Sequence, residues 1–233
     1  MKRHFEEVEE ELKQRLLHMG GLAEEMIHLA MQALVERSEA PLKRLVENER
    51  AVNQLHIEID DRCLKLIALH QPTAADLRFI MAAIKINSDL ERIADQAVNV
   101  SESTGFLLAQ PPLKRKLLDI PRMADLAKGM LKDSLDAFVH RNVDLARAVV
   151  ARDDEEDQLK SSAFHELMTL MQSDGSTIQR ALCLILISRN LERIADHATN
   201  VAEDVIFMVQ GKDIRHPADQ QPPQAPEGAG SPN

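Results

Sequence analysis

The chain has 233 residues, a formal net charge of −10 and an apolar fraction of 44%, with no Trp, no Tyr and only six Phe. An acidic excess of this size repels nucleic-acid phosphates and anionic lipid headgroups, which argues against direct binding to DNA, RNA or a membrane surface. A core nearly free of aromatic residues must be built from Leu, Ile, Val, Met and Ala, which favours helices over strands.

The N-terminus, Met1-Lys2-Arg3-His4-Phe5-Glu6-Glu7, has a basic start but no apolar stretch after it. The longest apolar run, Ala181 to Ile187, is far below the ~20 residues of a membrane span. A soluble, cytoplasmic protein with no direct membrane insertion is expected. Cys63 and Cys183 each sit in an apolar stretch and read as buried thiols rather than a disulfide or thiolate site.

In chain order, Phe5, Val8, Leu12, Leu16, Met19, Met26, Ala30 and Ala33 mark one face of a long amphipathic helix over about 3–38. Gly20-Gly21 falls inside it and offers a kink. A second helix is expected over about 41–70, with Leu45, Val52, Ile59, Cys63 and Leu66 on its stripe. A third follows to about residue 108, opened by Thr73 as N-cap with Asp76 reaching back. Residues 109–121 form a linker holding Lys114-Arg115-Lys116. Helices over about 121–140 and 142–172 come next. Gly175 marks a stop, Ser176-Thr-Ile-Gln179 offers a capping box, and a last helix runs to Gly211. Pro41, Pro72, Pro111, Pro112 and Pro121 all fall at boundaries, as the absence of a proline N–H requires.

The pattern repeats. Asp89 to Glu102 matches Asn190 to Glu203 at an offset of 101, with ten of fourteen positions identical. The expected fold is therefore all-α, two tandem three-helix bundles related by duplication, spanning 1–109 and 113–212, with a disordered tail over 213–233 rich in Pro, Gln and Gly. The second helices align more loosely, Glu49 and Asn53 corresponding to Asp153 and Asp157.

At ~100° per residue, Leu90, Ile93, Ala94 and Ala97 form the core stripe. Glu91, Asp95, Asn99 and Glu102 form a second ladder away from it, repeated by Glu192, Asp196, Asn200 and Glu203. Two readings stand. The ladder is a solvated face with local ion pairs, for instance from Arg92 to Asp89 and Asp95. Or it binds a hard cation, since carboxylates at i and i+4 can ligate one ion. In the second case Glu49 and Asn53, or Asp153 and Asp157, supply the facing ligands. A metal store or a metal-dependent enzyme would follow from that pattern alone. No phosphate loop, dinucleotide fingerprint or His-Glu-x-x-His occurs. Glu25-x-x-His28 lacks the second copy that a di-iron bundle needs. His197, with Gln96 as its counterpart, reads as a surface histidine.

Leu90-Glu91-Arg92-Ile93-Ala94-Asp95, its copy at 191–196, and Pro72-Thr-Ala-Ala-Asp76-Leu77-Arg78 resemble the PhoU family of phosphate-transport regulatory proteins, over residues 3 to 212. The resemblance implies two three-helix bundles and a homodimer. It implies a non-enzymatic negative regulator of phosphate uptake and of the phosphate-starvation regulon. Such a protein links the ATPase of a phosphate ABC transporter to a sensor histidine kinase. It also implies iron or zinc clusters on the surface, with Glu91, Asp95, Glu192, Asp196, Asp153 and Asp157 as candidate ligands, together with Glu49 and Asn53. Asn53 departs from the acidic pattern, and Thr177-Ile-Gln179 replaces Asp76-Leu-Arg78 in the second half.

Overall fold

The computed structural model describes residues 2–70, 72–113 and 119–214. Seven α-helices run in the order α1 (Lys2–Glu36), α2 (Ala40–His70), α3 (Ala74–Leu108), α4 (Asp119–His140), α5 (Val143–Val150), α6 (Asp153–Ser173) and α7 (Ile178–Gln210), and no strand forms among the described residues. The Pro- and Gln-rich segment from 215, the Lys114-Arg115-Lys116 cluster and the Phe5 side chain lie outside the described residues. Of the expected tail, Ile214 is described, and it packs against the core.

Several helices start or stop for a visible local reason. Thr73 and Asp76 make the reciprocal capping box at the start of α3. Asn142 accepts from the backbone N–H groups of Asp144 and Leu145 and so opens α5. Gly211, at φ 68°, ends α7 in the left-handed conformation that suits a residue without a Cβ. Pro41 and Pro121 sit inside the first turns of α2 and α4, where the backbone N–H has no intrahelical partner to lose.

Three local expectations differ from the structure. The helix expected over 142–172 is two helices, because the chain turns at Ala151-Arg152, where Arg152 N–H bonds to Val149 O. No Gly or Pro signals the break. Arg152 instead reaches α4 and pairs with Asp133 at 2.6 Å. The capping box at 176–179 does not form. Asp174 takes that place, accepting from Ser176 N–H at 2.9 Å, and a short 3₁₀ turn leads into α7. Gly20-Gly21 does not interrupt α1, which is helical throughout.

Helices α2, α3, α7 and α6 lie side by side, with α1 and α4 behind them, touching each other as well as the front row. The most extensive contact is between α3 and α7, one helix from each repeat. They run antiparallel: Arg78 donates to Met208 O, Lys85 pairs with Asp204, and Asp89 meets His197. The expected stripes Leu45, Val52, Ile59, Cys63, Leu66 and Leu90, Ile93, Ala94, Ala97 are all buried. The two bundles share one continuous core from Leu12 to Met208. At the seam Phe79 of α3 stacks on Phe138 of α4, ring centroids 5.7 Å apart. Gly20 lies against Leu135 of α4 so closely that a Cβ would clash with Leu135 Cδ1. That glycine is a point of close helix approach, not a kink.

Candidate functional site

The duplicated motif sits in mid-helix on α3 and α7, side by side. As its periodicity requires, Glu91, Asp95, Asn99 and Glu102 lie off the buried stripe, and Glu192, Asp196, Asn200 and Glu203 do likewise. In the second repeat the ladder on α7 meets the positions expected to complete it on α6, Asp153 and Asp157, and in the first repeat α2, which carries Glu49 and Asn53, packs against α3.

The two halves differ in chemistry. In the first, Glu49 and Glu91 are half-buried and Asn53 and Asp95 exposed, and none of the four makes an ion pair among the described residues. In the second, the carboxylates crowd. Lys160 Nζ lies 2.6 Å from Asp157 Oδ1 and 2.8 Å from Glu192 Oε1, tying α6 to α7. These two bonds push the Lys160 ammonium pKa up. Thr199 Oγ1 is 3.4 Å from Asp153 Oδ1. Burial, then the charges of Asp157, Asp154 and Glu192, raise Asp153 against that weak bond. Asp196 is pushed up to about 6 by partial withdrawal from water and then by the charge of Glu192. Asn200 donates to Asp89 Oδ1 at 3.4 Å, across the seam rather than into the cluster.

Glu156 belongs to this cluster and was not anticipated as a site residue. It is 1% exposed, neither carboxylate oxygen has a hydrogen-bond partner, and burial, then the charges of Glu192 and Asp153, push its pKa up to about 8. The signal for it was in the sequence. In the repeat alignment Glu156 stands opposite Val52, a buried core residue. An acid on an apolar stripe is a deviation that periodicity can detect.

Between α3 and α7 a polar cavity of about 550 Å³ is lined by Arg92, Gln96, Asp153, Arg193, Asp196, His197 and their neighbours. Arg92 does not pair with Asp89 or Asp95 as its spacing suggested. Asp89 is engaged by His197, whose Nδ1 lies 2.9 Å away. His197 is therefore a half-buried seam residue and not a free surface histidine. Cys63 is buried and its thiol is pushed up to about 12 by burial, and Cys183 is half-buried; both are free. Glu25 accepts from Asn48 and pairs with Arg44, a structural role, while His28 lies on a shallow surface depression.

The iron or zinc that the family resemblance implies would be held by these ladders. The donor set, oxygen-rich and acidic, suits a hard cation in chemistry. On the second ladder Lys160 lies between Asp157 and Glu192, and among the described residues no group of three or more His, Cys, Asp or Glu side chains is placed to hold one ion.

The fold and the site define a class, a duplicated helical bundle displaying matched polar ladders on adjoining helices. The chain belongs to the PhoU family: the PhoU domain matches residues 16–104 and 120–205, one copy per repeat. A phosphate-specific transport system accessory protein PhoU homolog of Pseudomonas putida is 37% identical over 207 residues, covering 89% of this chain and 81% of that protein. The Aquifex aeolicus homolog of the same description is 38% identical over 212 residues, 91% of this chain and 95% of that one. The crystal structure of PhoU from Pseudomonas aeruginosa superposes with a TM-score of 0.86 at 35% identity, over 89% of this chain and all (100%) of that one. The phosphate transport system regulatory protein PhoU from Streptococcus pneumoniae gives 0.83 at 27% identity, over 90% of this chain and 99% of that one. Among the described residues no helix is long and apolar enough to cross a membrane.

Proposed function

We propose that this protein is an accessory protein of a phosphate transport system, a cytoplasmic negative regulator of phosphate uptake and of the phosphate-starvation regulon. The observation that carries this reading is the PhoU domain match in both repeats, together with relatives named for that transport system over most of their length. The physical features agree with an adaptor. A chain of charge −10 acts on transcription through other proteins, not by gripping DNA itself. Its partners in this proposal are the ATPase subunit of a phosphate ABC transporter and a sensor histidine kinase, and it works as a homodimer without turnover of a substrate. The matched polar ladders on α3 and α7 lie off the buried stripe and are available for such docking.

The test is genetic and biochemical. Deleting the gene should raise phosphate-starvation gene expression in phosphate-replete medium. A pull-down from replete cells should bring down a transporter ATPase or a sensor kinase. Unchanged expression together with an empty pull-down would reject the proposal.

A further inference from the structure

The second carboxylate cluster raises an electrostatic question. Asp153, Glu156, Asp157, Glu192 and Asp196 gather where α6 meets α7. A cluster of like charges is relieved by protonation, as the raised pKa of Glu156 shows, and by a counter-charge from a bound cation or from the chain itself. The first repeat largely avoids the problem. Asn53 replaces one carboxylate, and Val52 stands where the second repeat has Glu156. The position matching Lys160 is His56, whose Nε2 lies 3.7 Å from Asp60, outside the ladder.

We infer that Lys160 is the resident cation of the second cluster, its ε-ammonium holding the place between Asp157 and Glu192 that a bridging metal ion would need. The geometry is specific. Lys160 is one turn beyond Asp157 on α6, and its stem brings Nζ to 2.6 Å from Asp157 Oδ1 and 2.8 Å from Glu192 Oε1, two charge-assisted bonds that join two helices. A divalent ion can bridge the same two carboxylates only after the ammonium leaves. An ammonium brings three donors of tetrahedral reach and no open coordination position, so with it in place the cluster is closed to metal. The inference does not depend on the identity of the protein's partners. A failure of the pull-down above would leave it standing, and its own failure would leave the adaptor reading standing.

The test uses the purified full chain, stripped with chelator and titrated with Mn²⁺ and, separately, Zn²⁺, with bound ion counted by elemental analysis. Wild type should hold no ion whose retention depends on Asp157 or Glu192. Lys160→Met, which removes the charge and keeps the stem, should raise ion affinity at least tenfold. Glu192→Gln in the same chain should abolish that gain, and Lys160→Arg should stay closed. An ion held by wild type and lost in Asp157→Asn or Glu192→Gln would overturn the inference, as would an unchanged affinity in Lys160→Met. If Lys160→Met does not fold, the wild-type comparison with Asp157→Asn and Glu192→Gln decides alone.

Discussion

Gly20 and Gly21 are adjacent in α1 and have opposite surroundings. A methyl group on Gly20 meets Leu135, itself buried, whereas one on Gly21 meets nothing within 4 Å. Ala in a helix interior gains up to about 1 kcal/mol over Gly, but overpacking a core costs about 1–3 kcal/mol. Gly20→Ala should therefore lower the denaturation midpoint and Gly21→Ala should raise it; equal shifts would contradict the close approach of α1 to α4. Glu156 gives a second contrast. Its carboxyl titrates near 8 in the folded chain against 4.5 when free. Folding therefore takes up a proton between those values. Its contribution is fully present below the lower value and fades as pH rises through the upper one. Glu156→Gln imitates the protonated form and should stabilise the protein at about pH 8 by roughly 1–3 kcal/mol, with little gain at about pH 4. Thermal melts of both chains across that range measure it, and parallel curves would refute it.

Helix ends decide much of what happens at the scale of elements. Arg37 and Arg141 end α1 and α4 at matching places in the two repeats, both at φ 51°. A left-handed arginine is strained relative to glycine, and each side chain makes contacts that glycine lacks. Arg37 Nη2 donates to the carbonyls of Leu107 and Leu108 at 3.1 and 3.3 Å and to Gln110 O, capping the carbonyl end of α3. Arg141 Nη2 donates to Glu9 at 2.6 Å, tying α4 to α1. Arg37→Ala keeps the strain and loses the cap. It should cost about 1 kcal/mol and speed amide exchange at the end of α3, which an exchange map would detect. The long helices were legible because their stripes are regular: Leu12, Leu16, Met19 and Met26 on α1, and Leu45, Val52, Ile59 and Cys63 on α2, are all buried. The break between α5 and α6 was not, because it has no Gly or Pro and depends on Arg152 reaching Asp133, a tertiary contact. The ladders were legible as faces for the same reason the helices were. Their pairing was not: Lys160 bridges α6 to α7 and His197 bridges α7 to α3, and both bonds depend on how helices dock rather than on spacing within one.

At the scale of the molecule the duplication suggests two units, yet the packing joins them. Phe79 and Phe138, the two largest wholly buried side chains among the described residues, belong to different repeats and stack on each other. Around them, Arg78 reaches Met208 O, Lys85 pairs with Asp204, which is 1% exposed, and Asp89 meets His197. A repeat separated from its partner would leave one face of α3 or α7 uncovered, and burial of that apolar face is a large share of what a bundle of this size has to stabilise it. The two repeats should therefore unfold together. Calorimetry should show one transition whose van't Hoff and calorimetric enthalpies agree. Phe79→Ala should lower stability by about 3–5 kcal/mol. Because the loss falls at the shared seam, amide protection should weaken in both repeats, in α7 as much as in α3. Two separated transitions, or a Phe79→Ala effect confined to the first repeat, would show that the seam is only a contact between independent bundles. A single transition also bears on the proposed adaptor role: a partner that loosened one ladder's helix would work against the stability of the whole chain.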